Sequence, residues 1–413
     1  MQVSFLRCFI AFLLLWSMPV SLHAAGLDWP CWRGPDHDGI SKESGWATTW
    51  PAEGPKQLWK VGVGIGFSSC SVVGNRVYTM GHRDGSDHVR CLDALTGKEI
   101  WKWSYPAQLD ARLYEGGPNS TPAVADGLVF TLGRYGEAHC LGAADGKLVW
   151  QQNLMKEFTL KEPGQDWWGF TGSPLVEGDL VILAAGTHGL ALDKKTGRRV
   201  WFTGTGANGY ASPVPVLHQG QRAIAVFGAR SLGVVDAKNG RLLRELPWKT
   251  AYDVNAADPI FADGHVFLSS GYRTGGGLFK LGDGRPTEVW KSAEMHNQMN
   301  PSVLLGGHLF GVSGQNGRGG DLRCVEFMTG AVQWKEPTFG MGSVMAADGK
   351  LIALSEKGEL IIAEAKPDAF KALARAQVLG GRCWTVPVLS HGLIYCRNAR
   401  GDLVCLDVRG KNP

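Results

Sequence analysis

The chain has 413 residues, with 42 Lys and Arg against 38 Asp and Glu and a formal net charge of +4. That balance excludes the basic footprint of a nucleic-acid binder and favours no particular charged partner. Its 57 glycines and 16 tryptophans, set between runs of Val, Leu and Ile, argue against a helical bundle and for many short strands joined by tight turns.

The first element is a leader. Arg7, the apolar run from Phe9 to Trp16 and Ser21-Leu22-His23-Ala24-Ala25 form the tripartite pattern of a secretory signal, with cleavage expected near Ala24. The apolar run is too short to span a bilayer. Cys31 follows Asp28-Trp29-Pro30 and lacks the small and aliphatic residues that precede a lipid-attached cysteine. The expectation is a periplasmic or secreted monomer without a membrane span, residues 1–24 being the signal peptide and residues 25–413 the folded unit.

Next comes Gln57-Leu-Trp59-Lys-Val61, a Trp-bearing strand with no hairpin before it. Three copies of one pattern follow: Cys91-Leu-Asp-Ala-Leu-Thr-Gly-Lys-Glu-Ile-Trp101, Cys140-Leu-Gly-Ala-Ala-Asp-Gly-Lys-Leu-Val-Trp150 and Ala191-Leu-Asp-Lys-Lys-Thr-Gly-Arg-Arg-Val-Trp201. Weaker copies end at Arg244, Trp290 and Trp334. The spacing of roughly 50 residues is that of a four-stranded propeller blade. Each copy reads as a hairpin: a strand, an Asp/Gly turn that supplies positive φ, and a strand ending in an indole able to fill the gap between blades.

A second landmark precedes each hairpin: Ser69-Cys70, Thr121-Pro122, Ser173-Pro174, Ser212-Pro213, Asp258-Pro259, Asn300-Pro301, Ser343-Val344 and Val386-Pro387. Each is expected to start a blade's innermost strand, which gives eight blades. The last repeat stops after three strands, at Asp402-Leu-Val-Cys-Leu-Asp407. Adding the orphan strand around Trp59 to it would close the ring and remove exposed edges. The predicted fold is therefore all-β: an eight-bladed propeller of four-stranded antiparallel blades, closed by an N-terminal strand. One helix is expected, an amphipathic insert from Pro367 to Gln377.

The repeat resembles the tryptophan-docking motif, Ala-x-Asp-x-x-Thr-Gly-Lys-x-x-Trp, of quinoprotein alcohol dehydrogenases, eight-bladed propellers that bind pyrroloquinoline quinone (PQQ). Residues 91–101 and 191–201 carry the match best, and Trp29-Pro-Cys-Trp-Arg-Gly-Pro35 with Asp38-Gly39 is similar to the N-terminal segment of exported PQQ-like repeat proteins, some labelled polyvinyl alcohol dehydrogenase. The same repeat occurs in the scaffold lipoprotein of the outer-membrane β-barrel assembly machinery, which lacks catalysis. The resemblance implies the fold and, for the enzymes, PQQ with Ca²⁺. This chain departs from the enzymes in having no adjacent Cys-Cys pair, and their calcium ligands and catalytic Asp have no motif here. The expected function is a noncatalytic propeller binding a protein or carbohydrate ligand; the alternative is a PQQ-dependent dehydrogenase of alcohols or sugars.

The loops that lead into the innermost strands should share one face, and they are polar and aromatic: Tyr114-Glu115 with Asn119, Gln165-Asp166-Trp167-Trp168, Asn208 with Tyr210, Tyr252-Asp253 with Asn255, His296-Asn297-Gln298, and Trp384. Aromatic faces beside convergent polar groups suit a planar cofactor or a sugar ring; the plainer reading is that they cap strand ends. The candidates for cofactor contact are Trp167, Trp168, Asn208, Asn300 and Trp384, and those for a base are Asp253, Asp258 and Glu115. Asp258 and Asn300 replace the usual Ser or Thr before proline, either to reach a cation or sugar hydroxyl in the channel or to satisfy local backbone donors. Cys91, Cys140, Cys324 and Cys405 stand where the repeat has a small residue and read as buried apolar thiols. Pairing among Cys31, Cys70, Cys383 and Cys396 is open. Gly204-Thr-Gly206-Ala-Asn-Gly209 matches a dinucleotide fingerprint but leads into no helix, and Asp36-His37-Asp38-Gly39 starts like a calcium loop without its distal Glu.

Overall fold

The computed structural model describes residues 27–112, 114–158, 167–282 and 284–410; the expected signal peptide, Gln165 and Asp166 lie outside them. Eight sheets form in chain order, each with four antiparallel strands, the seventh joined by Ile40–Ser41 as a parallel fifth. Blade 1 comprises Ser71–Val73, Arg76–Arg83, Ser86–Asp93 and Glu99–Pro106. The innermost strands of blades 2 to 7 begin at Ala123, Leu175, Val214, Ile260, Val303 and Ser343, each at the landmark read from the sequence. Blade 8 has three strands from the C-terminal end, Val388–Ser390, Leu393–Arg397 and Asp402–Asp407, and takes Lys56–Gly62 as its fourth. Trp59 lies opposite Cys405 in that pairing, so the ring closes through the N-terminal strand.

The repeated tryptophans join neighbouring blades. The indole N–H groups of Trp59, Trp101, Trp150, Trp201, Trp290 and Trp334 donate across the gap to the carbonyls of Ala94, Ala143, Lys194, Ala237, Phe327 and Lys366, at 2.8 to 3.0 Å. Blade 4 has Arg244 at this position and reaches the next blade through Gly282 O instead. The glycines of the hairpin turns are explained by the same contact. Gly97, Gly146, Gly197, Gly240 and Gly330 have φ of +69° to +73°, and a Cβ on any of them would lie 2.6 to 2.8 Å from the preceding blade's indole. Only glycine meets both demands. Asp93 fixes its turn by accepting from Thr96 N at 2.8 Å and Thr96 Oγ1 at 2.7 Å, and Asp193 does the same with Thr196.

The thiols at the small position, Cys91, Cys140, Cys324 and Cys405, are fully buried opposite Trp101, Trp150, Trp334 and Trp59. Burial raises the Cys91 pKa to about 11 and those of Cys140, Cys324 and Cys405 to about 12, as expected of apolar fillers and not of nucleophiles. All eight described cysteines are free and buried.

The expected helix at 367–377 is a strand. Ala372–Gln377 pairs with Glu359–Glu364 as the outermost strand of blade 7. Its apolar spacing fitted a helix, but the blade needs a fourth strand to cover its third, and that pairing outweighs local propensity. Among the described residues the helices are Leu154–Glu157 and the 3₁₀ turn Ala251–Asp253.

Candidate functional site

The landmark before each innermost strand is a connector at the channel mouth. Ser69 N donates to Thr121 Oγ1, Thr121 N to Ser173 Oγ, Ser173 N to Ser212 Oγ and Ser212 N to Asp258 Oδ1, at 2.8 to 3.1 Å. One blade's backbone is thus held by the next blade's side chain over five successive blades. A short polar side chain is required at each step, which is why Ser, Thr and Asp alternate there.

The N-terminal segment fills the channel below this relay. Trp29 pairs with Val72 of blade 1 and Pro30 O accepts from Val124 N of blade 2. Two residues later, Trp32 Nε1 donates to Asp258 Oδ2 of blade 5 at 2.6 Å, and Arg33 Nη2 donates to Ser302 O of blade 6 at 3.1 Å. Gly39 and Ile40–Ser41 then join the innermost strand of blade 7. Blades 1 and 5 face each other across a ring of eight, so a chain that passes from one to the other in three residues crosses the axis. Arg33 is buried there and also donates to His37 O and Asp38 O. Burial raises the pKa of the Asp258 carboxyl, opposed by the Arg33 charge and by hydrogen bonds from Ser212 and Trp32; burial likewise lowers that of Arg33, opposed by Asp258 and Asp38. The two groups balance each other inside the ring. The calcium-like Asp36-His37-Asp38-Gly39 is part of this plug: Asp38 Oδ1 accepts from Ile40 N at 2.8 Å, and Asp36 pairs with Lys42 at 2.7 Å.

Above the plug lies a cavity of about 530 Å³, within the range of ligand pockets. Trp32 forms part of its floor. The walls come from Phe67, Tyr114, Asn119, Trp168, Tyr210, Tyr252, Asp258, Gln298, Met299, Asn300 and Trp384 on the loops before the innermost strands. Tyr272, Gln315 and Asn316 add a second set, from the bends between second and third strands of blades 5 and 6. The aromatics support one another. Phe67 stacks on Trp384 at 5.4 Å between ring centroids, and Tyr114 is 5.5 Å from both Phe67 and Trp168. Arg382 lies 4.5 Å from the Trp384 ring and Arg112 lies 4.8 Å from that of Trp168, so two cations brace the rim. Arg134, buried behind Tyr114, donates to its hydroxyl and pairs with Asp110 at 2.7 Å.

Trp168, Asp258, Asn300 and Trp384 meet at this mouth; the remaining candidates do not line it. Glu115 pairs with Arg382 at 2.7 Å. Asp253 is on the surface, 3.1 Å from Arg230. Asn208 donates to Gly209 O, and Trp167 packs edge-on against Phe170. Both Asp258 oxygens accept protein donors. Asn300 Nδ2 donates to Trp384 O at 2.7 Å and Gly342 O at 3.3 Å, joining blade 6 to blades 7 and 8. Asn255 and Asn297 are interior braces, bonded to Gly228 O and Val312 O. Sequence reasoning missed Trp32, Phe67, Tyr272, Gln315 and Asn316. The polar pair Gln315-Asn316 before Gly317 was a visible turn signal, but nothing local shows that the turn opens on the mouth.

The propeller fold has counterparts among known proteins. The family model PQQ_2, described as "Outer membrane protein assembly factor BamB", matches residues 85–336. The chain belongs to this family of PQQ-like propellers. BamB from Moraxella catarrhalis has a similar structure, with a TM-score of 0.64 at 15% identity over 86% of this chain and 99% of that one. The quinohemoprotein alcohol dehydrogenase ADHIIG from Pseudomonas putida HK5 gives 0.66 at 14% identity over 94% and 82%. These likenesses show the fold. A tetrathionate hydrolase of Acidithiobacillus ferrooxidans is 23% identical over 207 residues, 46% of this chain; the chain spans only 38% of that relative's length.

Proposed function

We propose that this PQQ-like propeller is an exported, noncatalytic binding protein and that the aromatic mouth above its plug holds a small ligand. The observation that carries the reading is the state of Asp258. Among the described residues it is the one carboxylate on the lining, and both of its oxygens already serve the blade relay and the plug. Each oxygen keeps a second lone pair, but the carboxylate is 6% exposed and fixed between two blade and plug donors, which is a structural engagement and not that of a base turned toward a substrate.

PQQ with Ca²⁺ does not fit the residues present. Residues 29–41 cross the channel axis, among the described residues no Arg, Lys or His is on the cavity lining to meet the carboxylates of the quinone, Arg112 and Arg382 standing on the rim against Trp168 and Trp384, and among the described residues no cluster of three or more His, Cys, Asp or Glu could hold a metal ion. Export rests on the leader read from the sequence, and among the described residues no helix is long and apolar enough to cross a membrane.

A thermal-shift screen of the mature protein against small neutral, anionic and aromatic compounds tests the reading, alongside dye reduction with PQQ, Ca²⁺ and a panel of alcohols and sugars. We expect at least one compound to stabilise the wild type and not Trp168→Ala, with no dye reduced. Substrate-dependent dye reduction would overturn the noncatalytic reading, and a screen without any Trp168-dependent ligand would overturn the small-ligand reading.

A further inference from the structure

We infer that the ligand of this mouth is a neutral saccharide. The inference rests on the binding reading above and names the chemical class.

Charge comes first. Among the described residues the lining holds no cationic side chain, and its one carboxylate is buried against Arg33 and two donors. An ionised ligand would lose hydration against walls whose described residues offer no free counter-charge, the nearest cations, Arg112 and Arg382, lying on the rim over the Trp168 and Trp384 rings. A neutral ligand meets no such penalty.

The free hydrogen-bonding groups come next. The side-chain amides of Asn119, Gln315 and Asn316 face the cavity and have no protein partner; Asn316 is held through its backbone N–H, which donates to Gln298 Oε1 at 2.6 Å. Asn300 uses its Nδ2 on two carbonyls and leaves Oδ1 as an acceptor. The hydroxyls of Tyr114 and Tyr210 accept from Arg134 and from Trp168 N, so their own protons are available as donors. The wall thus offers donors and acceptors interleaved at short intervals. A hydroxyl group both donates and accepts, and a ring bearing several of them matches such a wall; a purely apolar ligand would leave these groups unpaired.

The remaining surface is aromatic. Trp32 at the floor and Trp168 on the wall present flat apolar area of the kind that covers the C–H face of a pyranose, while Trp384, 6% exposed and packed by Phe67 and Arg382, backs the wall. A cavity of this volume holds a ligand of drug size, about two or three sugar rings.

The test is calorimetric titration of the mature protein with neutral oligosaccharides, with uronic-acid oligosaccharides of the same length and with PQQ. The double variant Gln315→Leu/Asn316→Leu serves as the site probe, because those amides brace nothing in the fold. Expected are saturable binding of a neutral oligosaccharide, a salt effect below about twofold from low to high ionic strength, and a loss of about tenfold or more in the double variant, the equivalent of one good hydrogen bond. Tighter binding of the uronic-acid oligosaccharides or of PQQ, lost in the double variant, would overturn the ligand class while the mouth kept its binding role. Neutral binding that survives unchanged in both the double variant and Trp168→Ala would overturn the mouth as the site, and absence of saccharide binding at millimolar concentration would overturn the class outright.

Discussion

Replacing Asp258 by Asn tests how the plug is held. In the wild type Oδ1 accepts from Ser212 N at 2.8 Å, Oδ2 accepts from Trp32 Nε1 at 2.6 Å, and the carboxylate is the nearest counter-charge offered by the blades to the buried Arg33. Asn retains one acceptor and turns an N–H₂ toward the Trp32 indole N–H, so that a charge-assisted bond worth about 1.5 to 3 kcal/mol is lost and two donors face each other. Arg33 also loses the charge of Asp258 that favours its ionised form, so the overall destabilisation expected is at the upper end of that range, about 3 kcal/mol. Ser212→Ala is the internal control: it removes the equivalent relay bond from Ser173 N without touching plug or charge, at about 1 kcal/mol. Urea unfolding followed by tryptophan fluorescence gives both values. Equal effects of Asp258→Asn and Ser212→Ala would refute the reasoning, since Asp258 would then be one more relay residue with no part in holding Trp32 and Arg33.

Other consequences are open to measurement. Gly146→Ala places a methyl 2.6 Å from the Trp101 ring at φ +69° and is expected to lower stability by more than 1 kcal/mol, whereas Gly284→Ala, with open space around it, should change little in the same urea experiment. His139 is 4% exposed and burial holds its imidazole pKa down at about 4. An unfolded imidazole titrates near 6.5, so the neutral-state stability is complete above that pH and is lost as the pH falls from about 6.5 toward 4, by about 2 to 3 kcal/mol. The wild type should lose that much more than His139→Phe between neutral and pH 4.5 in urea titrations. All eight described cysteines should resist a thiol reagent at neutral pH until the chain is unfolded, because each is buried and unpaired; rapid labelling of the native protein would contradict the closed ring.

What repeats was legible in the sequence. Every blade interface needs the same filler and the same turn, so Trp101, Trp150 and Trp201 recur with Gly97, Gly146 and Gly197 at fixed spacing, and the missing outer strand of the last repeat pointed to Trp59. The landmark residues announced the innermost strands for the same reason. The plug has no copy elsewhere in the chain, and nothing local in Trp29 to Ser41 states that Trp32 lands on Asp258, more than two hundred residues away. The candidate carboxylates were visible as residues but not in their engagements: Glu115 pairs with Arg382 of a distant loop, and Asp253 with Arg230 of the bend inside blade 4. Ala372–Gln377 was misread as helix because a short apolar pattern fits either period, and only the neighbouring strand decides.

The most direct test of the account is hydrogen exchange on the mature protein, alone, with a neutral oligosaccharide, and with PQQ plus Ca²⁺. A plug that crosses the ring should make residues 29–41 exchange as slowly as the blade strands in all three samples, while the saccharide slows the mouth segments around Trp168 and Asn316. Fast exchange of residues 29–41, or their release when PQQ and Ca²⁺ bind, would show that the channel opens to a cofactor and would contradict the binding-protein account.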